Sequence, residues 1–332
     1  MRFLSHLLFQ IDEARRYIED GRLEPLRLAV LLLDNAAEIQ MDRRIKDDLR
    51  HDDMMERVRN NILPFATSDD IPGELRELIA WTPLTRSEKS RLDHFFDEKV
   101  DYMVGRGGHI EKCLTEPLKH LHRYRNEAYH RAKTRPETIR TASLILLEIN
   151  CQMMLSIPPG SRSFSLSGDY SWIAERFHLG SRPFDFDLTT VVDEIRFGLL
   201  PGDQAVAIAL ADHLQDRFLN LDGALKFVAE NSCVKDKEEA LRISQYYAEI
   251  DRTKKQPTEL EKRNFTPKYY LHSIQELETQ VPLVRSAADR LTAFSSFSAT
   301  ERKLEPIEEC VNEMVLAIDS AIELQSEIAR GK

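Results

Sequence analysis

The stretch LRLAVLLLDNAAEI, residues 26–39, is apolar on most faces of a helix. A helix that is apolar nearly all round has to be covered by other elements. We therefore predict that this stretch lies at the centre of a helical bundle, as the first half of a long helix from about Pro25 to Arg59. The second half of that helix is charged, and we expect it to project into solvent.

Helical periodicity also dominates the rest of the first half of the chain, and strand patterns are nearly absent. Thr85 and Glu88 have the spacing of a capping box, which predicts the start of a helix that runs to about Val104. Thr134 and Glu137 have the same spacing ahead of a very apolar helix. The helices predicted here, besides 25–59, span about 3–20, 85–104, 110–130 and 139–155.

The stretch PPGS at residues 158–161 is the best candidate for a domain boundary. We predict an all-α protein with a helical bundle at 1–158, a linker at 159–184 and a second helical domain of unknown role at 185–332. Ser298 and Glu301 resemble a cap for the last helix. The helices predicted in the second domain span about 187–199, 202–219, 221–231, 237–253, 267–295 and 299–329.

The composition is typical of a globular protein with a heavily solvated surface. Of the 332 residues, 42% are hydrophobic and 31% are charged, which is not the composition of a disordered chain. The net charge of −10 argues against a protein that coats nucleic acid generally, but it leaves room for a local basic site. The sequence has no CxxC pair, no signal-peptide pattern and no apolar run long enough for a bilayer. We expect a cytoplasmic protein with reduced thiols and with no cofactor, metal or membrane association.

One short stretch, RNEAYH at residues 125–130, carries side chains that can cleave RNA without a metal. His130 can exchange a proton near neutral pH, as the base for a ribose 2′-hydroxyl or as the acid for the leaving oxygen. Arg125 supplies a permanent charge and a planar fork for a phosphate. Asn126 can orient the histidine ring or a phosphate oxygen. Attack by the 2′-hydroxyl leaves a 2′,3′-cyclic phosphate end.

Helix geometry makes Arg125 unusual. At about 100° per residue it falls near the centre of the apolar stripe of its helix, where an unpaired charge is costly. One interpretation is an ion pair with Asp34 or Glu38, with His130 simply a residue at the C-terminal end of the helix. In the other, Arg125 and His130 act on one phosphate. They lie about 140° apart around a regular helix, so they converge only if the helix bends or if two chains contribute.

The stretch resembles the signature of HEPN domains (higher eukaryotes and prokaryotes nucleotide-binding). That signature is an arginine, usually followed by a polar residue, and then a histidine after four to six intervening residues. Arg125, Asn126 and His130 match it. Residues 1–158 resemble the compact bundle of about four main helices in this family, and LLLDNAAE at 31–38 is similar to its first long helix. The resemblance covers only the first half of the chain.

The resemblance implies a metal-independent RNA endonuclease with Arg125, Asn126 and His130 as catalytic residues. Asp34 and Glu38, on the long apolar helix, are the candidates for a supporting contact with Arg125. The resemblance implies a homodimer in which two motifs face a shared cleft. It also implies a toxin or a defence or stress effector, with an antitoxin or defence-complex protein as partner. The alternative is a non-catalytic helical interaction or regulatory protein in which arginine 125 is structural.

Positive charge is concentrated around the motif. Between Val104 and Arg140 there are nine Lys or Arg residues and four Asp or Glu residues. RNA binding needs such a patch, although the same pattern fits a solvated basic face balanced by acidic helices. His120 and His122 are two residues apart and diverge on a helix, which argues against a metal site. The candidates for substrate binding are His122, Arg123, Tyr129, Arg131 and Lys133.

Overall fold

Every regular element in the described part of the computed structural model is helical, which confirms the predicted all-α class. Contacts divide the chain into two compact units, Met1–Leu200 and Pro201–Lys332. None of the helices described combines the length and the apolar composition needed to cross a bilayer. The structure describes residues 2–63, 73–130, 136, 138–157, 171–179, 187–199, 201–232, 234, 236–249 and 265–330.

The first unit is a bundle arranged around its second helix. That helix, α2, packs against α1, α5, α6 and α7, and its first half buries Leu33, Ala36 and Ala37 completely. The predicted central position of residues 26–39 is therefore confirmed. The α-helices described in this unit are α1 (Arg2–Asp20), α2 (Leu23–Ile62), α3 (Gly73–Ala80), α4 (Arg86–His94), α5 (Phe96–Val104), α6 (Thr115–His130), α7 (Ile139–Ser156), α8 (Ser171–Arg176) and α9 (Leu188–Arg196), and a short 3-10 helix, Lys112–Leu114, precedes α6.

The charged second half of α2 is only partly in solvent, because α3 and α4 contact it. Asp52 on this half is buried. One of its oxygens accepts a hydrogen bond from the Leu84 amide at 3.0 Å, and the other lies 3.1 Å from Nη2 of Arg106. The expectation that this half projects into solvent was wrong at Asp52, whose carboxylate ties the segment before α4 to α2. Most of the residues around it, from His51 to Asn61, are exposed as expected.

The predicted helix from residue 85 to residue 104 is two helices. The capping box at its start is confirmed: the Thr85 hydroxyl accepts from the Glu88 amide at 3.2 Å, and the Glu88 carboxylate accepts from the Thr85 amide at 2.7 Å. Phe95 has extended backbone dihedrals of −114° and 118°, which separate α4 from α5. The break leaves Phe95 exposed and lets Phe96 start α5 inside the core.

The apolar helix α7 begins later than its predicted cap. Its first residue is Ile139, and the preceding Thr138 makes no capping hydrogen bond through its side chain. Thr134 and Glu137, which were expected to form the capping box, lie outside the described residues. From Ile139 onwards most side chains are buried, as the apolar composition predicted.

The segment predicted as a linker and the start of the predicted second domain both pack on the first unit. In α8, Trp172 donates to the Ser5 hydroxyl at 2.8 Å, and Arg176 pairs with the buried Asp12 at 2.7 Å. In α9, Arg196 pairs with Glu148 on α7 at 2.8 Å. The division between the units therefore follows residue 200 rather than the proline pair, because these ion pairs and the buried face of α9 join both helices to the bundle.

The second unit is also helical, but its boundaries differ from those predicted. The region 202–231, predicted as two helices, contains one helix that starts at Asp203 and continues through Gly223 to Asn231. The region 267–295, predicted as one helix, contains two short helices and the start of a long one. The helices described in this unit are α10 (Asp203–Asn231), α11 (Lys237–Glu249), α12 (Leu271–Glu278), α13 (Gln280–Arg285) and α14 (Arg290–Ala329).

Helix α14 starts before its predicted cap. Its actual cap is Asp289, whose Oδ1 accepts from the amides of Leu291 and Thr292, both at 2.9 Å. Ser298 and Glu301 are buried inside the helix. The predicted cap was wrong because Glu301 serves a tertiary contact, an ion pair with Arg217 on α10 at 2.6 Å.

Candidate functional site

Helix α6 carries the predicted motif and is anchored by one apolar stripe. Leu118, Leu121 and Tyr124 are buried along it, directly after the buried Leu114. Arg125 follows this stripe, and 30% of its side chain is exposed. The arginine is therefore half-buried at the edge of the bundle, and not near the centre of the apolar stripe as the helical periodicity predicted, because Leu118, Leu121 and Tyr124 form the buried face of the helix.

Two described side chains contact the guanidinium of Arg125. Its Nε lies 3.4 Å from Oδ2 of Asp34, a carboxylate that is only 1% exposed. Its Nη1 donates to Oδ1 of Asn126 at 2.7 Å. The ion pair with Asp34 is one of the two pairings expected from the sequence. Asn126 orients the guanidinium in this arrangement, by accepting a hydrogen bond from it.

His122 contacts the same carboxylate. Its Nδ1 lies 3.0 and 3.1 Å from the two oxygens of Asp34, and its ring stacks on Phe96 at 3.8 Å with an angle of 4° between the ring planes. Arg125 is three residues further along α6, so both side chains leave the same face of the helix. Asp34 on α2 thus brings together two residues that the sequence analysis assigned to catalysis and to substrate binding.

Glu38, the other expected partner of Arg125, contacts a buried lysine. Lys99 on α5 lies 2.8 Å from Glu38 and 2.7 Å from Asp42. Burial alone would lower the pKa of Lys99, but the hydrogen bonds that its ammonium donates to Asp42 and Glu38 outweigh burial and raise that pKa. The lysine is therefore a charged group of the core, one helical turn along α5 from Phe96.

Other predicted residues lie apart from this cluster or outside the described side chains. Arg123 contacts His120 at 3.0 Å and Glu127 at 3.6 Å, away from Asp34. Helix α6 is helical through His130, which keeps Arg125 and His130 about 140° apart around a regular helix. The candidates outside what the structure describes are the side chains of Tyr129 and His130 and the whole of Arg131 and Lys133.

Much of the positive charge near the motif is paired within the described part of the chain. Besides Arg125, the basic side chains of Arg106, Lys119 and Arg123 each contact a carboxylate, at 3.1, 2.7 and 3.6 Å. Lys112 is exposed. The excess of lysine and arginine in the sequence is thus partly neutralised on the folded surface.

The histidines of α6 diverge as the helical spacing predicted. His120 is buried against Tyr124, whereas His122 faces Asp34. Among the residues described, no group of three or more His, Cys, Asp or Glu side chains is arranged to hold a metal ion. The described polar cluster around Asp34 includes the imidazole of His122, the guanidinium of Arg125 and the amide of Asn126.

Comparison with protein-family models gives no match, and neither do searches among curated proteins and among solved structures.

Proposed function

We propose that this chain is a metal-independent RNA endonuclease of the HEPN type, with Arg125, Asn126 and His130 as its catalytic residues. The observation that supports it best is the environment of Arg125. A half-buried guanidinium is positioned by Asp34 and Asn126 on a helix that continues to His130. A guanidinium oriented in advance, in a partly desolvated place, is suited to stabilise charge that develops on a phosphate.

In the proposed reaction the ribose 2′-hydroxyl attacks the adjacent phosphorus, and the 5′-oxygen leaves. His130 exchanges a proton with one of these oxygens, while Arg125 balances the negative charge. The angle of about 140° between the two positions favours a site to which two chains contribute. We therefore also propose a homodimer formed through the first unit.

The biological setting follows from the same resemblance. We propose a cytoplasmic toxin, or a defence or stress effector, whose activity is controlled by an antitoxin or by another protein of a defence complex. The second unit, Pro201–Lys332, is the natural candidate for that control, because the motif lies entirely in the first unit.

The test is an RNA cleavage assay on the purified full-length chain. Cleavage should persist in EDTA and should leave 2′,3′-cyclic phosphate ends, because the proposed nucleophile is the 2′-hydroxyl. Mass spectrometry of the products identifies these ends, and the His130→Ala variant is the control for a contaminating nuclease. Metal-dependent cleavage that leaves 5′-phosphate and 3′-hydroxyl ends would contradict the mechanism.

The second candidate function is a helical interaction protein without catalysis. The ion pair of Arg125 with Asp34 favours it, since that is the contact expected of a structural arginine. The ion pairs of Arg106, Lys119 and Arg123 favour it as well, because paired cations attract RNA less strongly. Under this alternative the wild-type chain is inactive on every RNA tested and His130→Ala relieves no toxicity on expression. Toxicity of the wild type that disappears in His130→Ala supports the nuclease instead.

A further inference from the structure

The imidazole of His122 is fixed by contacts on two sides, with Asp34 at Nδ1 and Phe96 against one face of the ring. Two oxygens of one buried carboxylate meet its Nδ1, and Phe96 covers one face of the ring. Only 18% of the side chain is exposed. The ring is therefore fixed in both position and rotation.

The carboxylate also sets the tautomer of His122. An ionised carboxylate can only accept hydrogen bonds, so Nδ1 of His122 carries the proton that points at Asp34. In the neutral ring Nε2 is then the acceptor, the atom that can take a proton from a substrate. A carboxylate that orients a histidine in this way also stabilises the imidazolium formed when the proton arrives.

The charges around the ring suit such a proton transfer. Asp34 on α2 and Arg125 on α6 are the ionised groups that share the cluster. Helix α5 contributes Phe96, and Lys99, one turn beyond it, is held by Glu38 and Asp42. Arg125 offsets part of the negative charge that Asp34 brings to the ring.

We propose that His122 is a second proton-transfer residue of the site, acting as the general base, with Asp34 as its positioning residue. This inference rests on the proposed ribonuclease function. Nε2 of His122 takes the proton of the 2′-hydroxyl as the 2′-oxygen bonds to phosphorus. The bond from phosphorus to the 5′-oxygen breaks, and His130 gives its proton to that oxygen. His122 ends as imidazolium and His130 as neutral imidazole, so protons and electron pairs balance.

The first part of the test compares variants of the full-length chain. His122→Asn keeps an N–H near the position of Nδ1, so it preserves donation to Asp34 but cannot accept a proton. We expect a loss of cleavage rate of roughly 100-fold or more, the usual range for a lost general base. The matched control is His51→Gln, an exposed histidine on α2 that should cleave like the wild type. Thermal melting checks that both variants are folded.

The second part distinguishes the base from the acid. A substrate with sulfur in place of the 5′-oxygen has a leaving group that needs no proton. On this substrate His130→Ala should recover to within about tenfold of the wild type, whereas His122→Asn should stay slow.

Each result has a distinct meaning. If the wild type cleaves no RNA, the proposed function fails and this inference fails with it. If the wild type is active and His122→Asn cleaves within about threefold of it, His122 is only structural and the nuclease proposal stands without it. Recovery of His122→Asn on the sulfur substrate would overturn the assignment of His122 as the base.

Discussion

At the scale of single residues, the carboxylate of Asp34 serves two neighbours at once. It is buried, and it contacts both the imidazole of His122 and the guanidinium of Arg125. A buried charge that loses its only partner typically destabilises a protein by about 3–5 kcal/mol. Since the arginine is partly exposed and the histidine remains as a partner, the loss of Arg125 alone should cost much less than this.

Because Asp34 keeps His122 as a partner when Arg125 is lost, a variant at Arg125 can lose activity without losing much stability. Arg125→Ala should reduce RNA cleavage by roughly 100-fold or more, since it removes the positive charge, and it should lower the melting temperature only slightly. Arg125→Lys should recover part of the activity, because lysine keeps the charge but lacks the bidentate fork. Asn126→Ala should be milder. Cleavage rates and thermal denaturation measure both effects.

The opposite pattern would contradict this assignment. If Arg125→Ala melts at a much lower temperature while each folded molecule still cleaves at the wild-type rate, Arg125 is a structural ion-pair residue. The match to the HEPN signature would then be coincidental at that position.

The contact of Arg125 with a carboxylate could be predicted, because a charge within an apolar stripe requires a partner. The choice between Asp34 and Glu38 could not, since they lie one turn apart on the same helix. Lys99 determines which of the two pairs with Arg125, because this buried lysine forms an ion pair with Glu38 and leaves Asp34 for the arginine. The stacking of Phe96 on His122 could not be predicted from the sequence either. Phe96 is placed against the ring by the break between the two helices at Phe95.

At the scale of helices, α14 illustrates where sequence patterns mislead. A hydroxyl followed three residues later by a glutamate predicts a helix start at Ser298. The same spacing occurs inside a helix whenever the glutamate serves another element, as Glu301 does for Arg217. Only the neighbouring helix distinguishes the two cases, and the sequence does not specify that neighbour. The actual cap, Asp289, forms the expected hydrogen bonds nine residues earlier.

The cap of α14 gives a prediction about stability. Asp289→Ala should lower the free energy of unfolding by about 1 kcal/mol, the usual value of a lost N-cap. Ser298→Ala is the control, because the Ser298 hydroxyl is buried with no hydrogen-bond partner among the described atoms, and its loss should be nearly neutral. Chemical denaturation at neutral pH measures both. Equal losses in the two variants would contradict the assignment.

The effect of Asp289→Ala should also depend on pH. Burial raises the pKa of Asp289, but the hydrogen bonds from Thr292 and Leu291 outweigh burial and leave that pKa below its ordinary value. A carboxyl with a lowered pKa in the folded state stabilises the fold above its unfolded pKa, near 3.9. This contribution is lost as the pH falls through the folded pKa. The difference between wild type and Asp289→Ala should therefore be complete at pH 7 and shrink in acid.

At the scale of the whole chain, the two helical units could be predicted but their boundary could not. The proline pair near residue 158 breaks the helical pattern, and this suggested the end of the domain. Ion pairs across the chain instead join later helices to the bundle, Arg176 to Asp12 and Arg196 to Glu148. Such partners lie more than forty residues apart in sequence, so local composition carries no signal for them.

A mixing experiment tests whether two chains complete the site. Arg125→Ala and His130→Ala should each be inactive as homodimers. If each site takes the arginine from one chain and the histidine from its partner, a heterodimer keeps one intact site of two. Random mixing should then restore about a quarter of the wild-type activity. If the two variants carry different affinity tags, purification over both tags isolates the heterodimer, and an inactive heterodimer would place each site within one chain.

The carboxylate shared by His122 and Arg125 also constrains how this protein can evolve. If a lineage loses the arginine and the histidine by drift, it is left with an unneutralised charge in the bundle, so the acidic residue has to be replaced as well. Among descendants of this chain, an apolar residue at position 34 would therefore mark lineages that have abandoned the site. An acidic residue there would mark those that still keep it under selection.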